Sequence, residues 1–411
     1  MAIHCEPRIL DQTHPTLWPR GELLPWTLSI ESVFATHAEC REPSENTRPA
    51  GVVFGYNGQE DLAYIRHTRT LEVLSSQAKP SYFVPTTQHT LENHVNVNLD
   101  PDLAAIVEKA KSENPNPPHP ADIPLEVFRA GYVMQGQLQA TQGLHCETIY
   151  DTAIDSEACL VPVRVYRAKE SQTEEPGLIF IHGGGFTIGN LDSHDSLCRQ
   201  LAIEASVTVI ALDYRLAPEH KFPAAVDDCL TATRWILSNA TAFQLHADKI
   251  AIGGDSAGGN LSAVICNELN KANETMPACQ LLIYPATRTA NFATPSRQAL
   301  ASGVTLDKRL IDFFNDMYFG GLDLDLMDPR LCPALAQKLS GAPTAHVITA
   351  EYDPLRDEGE EYSQLLSAAG VQASYRCYEG LMHNFILQTA VVALADQAVG
   401  DCASFLKQQF A

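Results

Sequence analysis

The chain has 411 residues, 45% of them apolar, which is enough for a large core in a protein of ordinary globular composition. A formal net charge of −22 makes nucleic acid a poor partner, because phosphate contacts need Lys and Arg clusters, and no apolar run reaches the roughly 18 residues that a transmembrane helix needs. Eleven cysteines without a C-x-x-C pair argue against a zinc site and a disulfide framework, leaving most of them as small buried hydrophobes. Met1 to Arg20 carries His4, Glu6, Arg8, Asp11 and His14 where a signal peptide would have an apolar core, so the cytoplasm is the expected location.

In chain order, residues 1–99 read as a small β-rich extension. Trp26, Leu28 and Ile30 alternate, as do Val95, Val97 and Leu99, and Asn57-Gly58 is a turn signal. Asp100-Pro101 then opens an amphipathic helix with Leu103, Ile106, Val107 and Ala110 on one face. The proline-rich run 114–120 ends it, and Leu125–Gln135 forms a second helix. From about Cys146 onward, apolar strands alternate with helices. The expected strands are Leu160–Tyr166, Leu178–His182, Val207–Leu212, Lys249–Ile252, Gln280–Tyr284, His346–Ala350 and Ser374–Tyr378. Helices are expected at Asp195–Ala205, Ala224–Ser238, Ala257–Leu269 and Glu358–Ala369, the last capped by Asp357. Strands that are apolar almost throughout are strands covered on both faces, so the fold class is α/β with a mostly parallel sheet. Thr287–Gly321 interrupts the alternation; its helix Leu306–Phe319 groups Leu310, Phe313, Phe314 and Met317 on one face, for which core packing is the default reading.

Four segments carry chemistry. Gly254-Asp255-Ser256-Ala257-Gly258 stands between a strand and a helix, the context of a nucleophile elbow, in which a serine is held on a strained turn above a sheet. His182-Gly183-Gly184-Gly185-Phe186 follows the strand ending at Ile181. Its glycines let backbone N–H groups point into a cavity, and neither a P-loop nor a dinucleotide-binding glycine pattern is present. Asp353 follows the strand His346–Ala350, with Glu351 and Asp357 as rival acids. His383 comes after the last strand. Serine, acid and histidine in that order along the chain follow the α/β-hydrolase order. Asp192-Ser193-His194-Asp195 reads as a helix N-cap in preference to a metal site. Asp213 and Glu219 read as stabilisers of the loop after Val207–Leu212.

With these motifs in place, the chain resembles the bacterial hormone-sensitive lipase family of α/β-hydrolase esterases. The resemblance covers about residues 100–411 and rests on 182–186, Asp213-Tyr-Arg-Leu-Ala-Pro-Glu-His220 running into Phe222-Pro-Ala-Ala225, 254–258, Asp353-Pro-Leu-Arg-Asp357 and His383-Asn-Phe385. It implies a catalytic α/β-hydrolase domain over 100–411 with a helical cap built from segments near 100–140 and 287–321, and a serine carboxylesterase that acts on short-chain esters through an acyl-enzyme. Carried onto matching positions, Ser256 is the nucleophile, His383 the base and Asp353 its orienting acid. Gly183, Gly184 and Ala257 are the oxyanion-hole amides. Phe186, Phe313, Phe314, Met317, Leu381 and Phe385 are candidates for an apolar substrate pocket, or equally for core.

No metal or organic cofactor is required by this chemistry. The expected partner is a small-molecule ester, with neither nucleic acid nor membrane involved and homo-oligomerisation left open. Deacetylase or amidase action on a specific metabolite is the alternative within enzymes. A non-catalytic receptor on the same fold is the alternative outside them. Two departures from the family stand out: Asn384 where glycine commonly follows the histidine, and the extension over 1–99, whose role cannot be carried over.

Overall fold

Leu178, Ile179, Phe180 and Ile181 are all fully buried, and they divide between two cores. Leu178 and Phe180 join one apolar cluster, while Ile179 and Ile181 join another, because successive strand residues point to opposite faces of a sheet. The structure, a computed structural model, describes residues 62–67, 70–75, 97–155, 160–171, 173–288, 293–302 and 305–411. The chain forms two compact units, Met1–Ala78 and Lys79–Ala411. In the first, β1 (Leu62–His67) and β2 (Thr70–Ser75) pair as an antiparallel hairpin. The expected alternation at Trp26, Leu28, Ile30 and Val95 and the turn at Asn57-Gly58 lie outside the described residues.

The second unit begins its regular structure with α1 (Pro101–Glu113) and α2 (Leu125–Gln139). The Asp100 side chain accepts the Asp102 N–H and caps α1, as its sequence position predicts. The strands are β3 (Thr148–Asp155), β4 (Leu160–Arg167), β5 (Glu175–Ile181), β6 (Thr208–Leu212), β7 (Leu245–Asp255), β8 (Cys279–Ile283), β9 (Thr344–Tyr352) and β10 (Ala373–Met382). They form one sheet in the order β10-β9-β8-β7-β5-β6-β4-β3. From β10 to β6 all neighbours run parallel, and β4 is antiparallel to both β6 and β3.

The connecting helices are α3 (Asp195–Ala205), α4 (Ala224–Ser238), α5 (Ala257–Ala272), α6 (Pro295–Ala299), α7 (Lys308–Phe319), α8 (Arg356–Ala368) and α9 (Ala393–Phe410). Leu197 and Leu201 of α3 and Val399, Cys402 and Leu406 of α9 pack with Leu178 and Phe180. Val226 and Ile236 of α4 and Leu261 and Val264 of α5 pack on the other face with Ile179 and Ile181. Tyr362 and Leu366 of α8 extend that layer against Leu282 and Val347.

One strand of the sheet lies outside the expected set, and two expectations need correcting. β3 carries no continuous apolar run; it is an edge strand with mostly exposed side chains, so burial left little pattern to read. Helix α8 starts at Arg356 with Leu355 in the cap position. Asp357 is therefore inside its first turn, where its carboxylate accepts the Ser296 N–H at 2.7 Å. Within the run Asp192–Asp195, read as a helix N-cap, His194 occupies the cap position of α3, but no side chain caps that helix. The Asn190 side chain instead accepts the N–H groups of Asp192 and Ser193 just before it. Among the described residues, no helix is long and apolar enough to cross a membrane.

Candidate active site

The two strands that deliver the site are neighbours. β5 and β7 run parallel with Ile181 opposite Gly254, so the glycine run after β5 and the serine after β7 emerge side by side at the C-terminal ends of two central strands. Ser256 sits between strand and helix with φ 55° and ψ −115°, a region that side chains other than glycine rarely adopt. A Cβ on Gly258 would fall 1.9 Å from the Ile181 carbonyl oxygen. Glycine there is what allows α5 to start so close to β5.

His383 Nε2 lies 2.9 Å from Ser256 Oγ, and His383 Nδ1 lies 2.7 Å from Asp353 Oδ2. Asp353 is fully buried, and its other oxygen accepts the Leu355 N–H at 2.8 Å. The rival acids are engaged elsewhere. Glu351 accepts the Gly380 N–H, and Asp357 holds Ser296 and Arg356. Asn384 adopts φ 71°, ψ 12°, the left-handed conformation that asparagine tolerates better than most residues after glycine. That conformation accounts for the departure from the family pattern. The Asn384 Oδ1 also accepts a hydrogen bond from Tyr132 of α2 at 3.0 Å.

The glycine run requires a correction. The Gly183 N–H donates to Asp255 Oδ1 at 2.8 Å and is thereby committed to a buried carboxylate. Gly184, Gly185 and Ala257 line the cavity with Ser256 and His383, and Gly183 does not. Ala257 opens α5, so its N–H has no acceptor within the helix. Gly185 has φ 57°, and a Cβ there would meet the Phe314 ring at 2.3 Å.

Behind the loop lies a buried layer that the motifs alone did not reveal. His194 Nε2 is 3.1 Å from Asp255 Oδ1, and the His182 ring stacks on Tyr214 at 4.4 Å. Tyr214 donates to the His182 carbonyl. Burial, followed by the neighbouring His194, lowers the pKa of His182 to about 4, so it stays neutral at physiological pH. Burial acts to raise the Asp255 pKa, but His194 and the Gly183 N–H outweigh it and hold the carboxylate below its ordinary range.

The roof comes from α2 and α7. Phe128 and Phe314 stack with ring centres 6.1 Å apart. His119 meets Asp307, the side-chain cap of α7, at 3.2 Å, and Arg309 pairs with Asp122. Arg129 of α2 donates to the carbonyls of Thr187 and Ala217 and forms two bonds to Glu219 at 2.8 Å. Glu219 thus does hold its loop, through Arg129. The cavity under the roof measures about 990 Å³ including its open mouth. Of the six apolar candidates, Phe186 and Phe314 line it. Leu381 and Phe385 are fully buried core, and Phe313 and Met317 pack against the two main apolar clusters. A helix face spreads over more than one neighbour, which is why spacing alone did not separate them. Leu306, Leu310 and Ile311, together with the polar Gln135, Arg297, Thr305, Asn315, Asn384 and Gln388, complete much of the wall.

A family model for the alpha/beta hydrolase fold matches residues 178–387. An ethyl acetate hydrolase from Pseudomonas putida is 35% identical over 76% of this chain and 99% of its own length. The chain belongs to the hormone-sensitive lipase family of α/β hydrolases. The carboxylic ester hydrolase LipN of Mycobacterium tuberculosis is 43% identical over 58% of this chain, and the match spans 64% of LipN. The solved structure of an ester hydrolase from the metagenome of Lake Arreo, Spain, is 38% identical and superimposes with a TM-score of 0.73, covering 76% of this chain and 99% of that one. The family is one of carboxylic ester hydrolases, and this member is a hydrolase of that class.

Proposed function

We propose that the chain hydrolyses short-chain carboxylic esters through an acyl-enzyme on Ser256. The observation that carries this reading is the relay from Ser256 Oγ to His383 at 2.9 Å and from His383 to Asp353 at 2.7 Å. Ser256 Oγ bonds to the ester carbonyl carbon as its proton passes to His383 Nε2. The carbonyl oxygen becomes an oxyanion, held by the N–H groups of Gly184, Gly185 and Ala257 and favoured by the positive end of α5. Collapse breaks the bond to the alcohol oxygen, which takes the proton back from His383. Water then gives its proton to His383 and attacks the acyl carbon, and the acid leaves as Ser256 recovers its proton. Asp353 fixes the histidine tautomer and stabilises the imidazolium.

Helices α1–α2 and α6–α7 act as the cap in this reading, and the aromatic pair Phe128 and Phe314 limits acyl length. The substrate is a small ester. Buried thiols such as Cys198, Cys266, Cys279 and Cys402 fit a reducing compartment such as the cytoplasm. Residues preceding the hydrolase unit serve structure and assembly; deleting 1–78 and finding both assembly size and activity unchanged would remove that role. The deciding test of function is an acyl-chain panel on wild type and Ser256→Ala. The variant is expected to lose about 10⁵-fold or more in kcat with unchanged melting temperature. Wild-type rates that rise steadily towards long acyl chains would refute the short-chain reading.

A further inference from the structure

Arg297 is part of the cavity wall that also contains Ser256 and His383, yet the hydrolytic steps make no use of it. Its side chain is only 12% exposed and is held by Glu358, which is fully buried. The Arg297 Nε–H donates to Glu358 Oε2 at 2.8 Å, and Nη2 donates to the Arg288 carbonyl at 2.6 Å. The backbone N–H of Arg288 donates to the other Glu358 oxygen at 3.1 Å. A guanidinium fixed along one side by a buried carboxylate and a carbonyl has its remaining donors set in direction, since its five N–H groups share one plane. Among the described residues, Nη1 has no acceptor, and it is not among the buried side-chain atoms that lack partners. That leaves Nη1 as the donor available to a ligand in the cavity that Arg297 lines.

A second wall residue points the same way. The Thr305 hydroxyl is buried and has no partner among the described residues, and Thr305 lines the same cavity. Most of the remaining wall is apolar, including Phe314, Leu306 and Leu355. A fixed cationic donor in such a wall discriminates strongly between a ligand that offers an acceptor oxygen and one that does not. The hydrocarbon analogue leaves the donor desolvated and unpaired.

We propose that Arg297 is a specificity-determining substrate contact: its free Nη1 donates to a carbonyl or carboxylate oxygen carried by the substrate away from the scissile ester, with Thr305 as a second polar contact. The preferred substrates are then oxygenated short esters, such as keto esters or half-esters of dicarboxylic acids. The proposal rests on the esterase reading above and deepens it.

The test compares kcat/KM for ethyl hexanoate, its three analogues with a ketone at carbon three, four or five, and the monoethyl ester of glutaric acid. Each is measured on wild type, Arg297→Lys and the double variant Arg297→Gln/Glu358→Gln. The lysine keeps a cation beside Glu358, and the double variant removes the buried charges together, so at least one folded protein is secured. Ratios between two esters on one protein do not depend on the folded fraction. The expected result is that wild type favours at least one oxygenated ester over ethyl hexanoate, and that this ratio falls about tenfold or more in the variants. The ketones and the half-ester separate a carbonyl acceptor from a carboxylate. Ratios within twofold of wild type for every ester, with Ser256→Ala inactive on all of them, would overturn the role of Arg297 and leave the esterase reading standing. Hydrolysis by Ser256→Ala would overturn the nucleophile assignment, and this proposal with it.

Discussion

At the scale of single residues, the site depends on backbone conformations that few side chains tolerate. Asn384 is left-handed and holds Tyr132. Asn384→Gly should keep the fold and lose only the link to α2. Asn384→Val should lower the melting temperature, because a β-branched residue in that region costs roughly 1–2 kcal/mol; calorimetry on both variants checks this. Asp213 gives a pH-dependent signature. Burial first, then the nearby Asp192, raises its pKa from 3.8 to about 6. The folded state therefore holds its proton more tightly than the unfolded chain does. The associated stability is complete below about pH 4 and is lost as pH rises through about 6. Asp213→Asn should therefore melt higher than wild type at pH 7, and that advantage should vanish near pH 4. His182 carries the opposite sign: its lowered pKa costs stability as pH falls from 6.5 towards 4. Melting curves across that range, compared pairwise, isolate the Asp213 term.

At the scale of elements, the strands and helices form a platform and a roof with different sequence signatures. The platform was legible because β6, β8 and the C-terminal parts of β5 and β7 are buried on both faces and read as short, mostly apolar runs. The edge strand β3 has no such run, and α9 was not singled out. The roof was legible as helices but not as contacts. On α7, Phe314 lines the cavity and its neighbour Phe313 does not, although both rings pack on Phe128 of α2 and against the same apolar cluster. Phe314→Ala should enlarge the cavity at its roof and raise the ratio of eight-carbon to four-carbon ester hydrolysis about tenfold, an effect of the size that added methylenes have in apolar pockets. Chain-length kinetics on that variant measure it, and an unchanged ratio would move the acyl site away from α7.

At the scale of the whole molecule, the net charge of −22 sets a background of self-repulsion that screening relieves. Raising NaCl from about 10 mM to about 500 mM shortens the Debye length from about 30 Å to under 10 Å. The melting temperature should rise over that range; a flat or falling curve would mean that paired charges such as Arg164 with Asp151 and Asp192 outweigh the excess. The second compact unit begins at Lys79, ahead of the end of the β-rich extension read over residues 1–99. Val97 and Leu99 pack against its core, Asn98 donates to Tyr352, and Asp100 donates to the Gly380 carbonyl. The sequence shows an alternation at Val95, Val97 and Leu99, but which unit the segment joins depends on partners as distant along the chain as Tyr352 and Gly380.

The sequence by itself determined the α/β class, the order of serine, acid and histidine, and the helix cap at Asp100. Each of these is a local matter of residue type, spacing or burial pattern. Only the tertiary structure decided which acid reaches His383, that the Gly183 amide belongs to Asp255 while Gly185 lines the cavity, and that Arg297, held by Glu358, stands in the same wall. Those outcomes depend on partners 30, 72 and 61 positions away along the chain. No spacing rule carries a hydrogen bond across such a separation; it is set when the sheet closes and the roof helices cross above it.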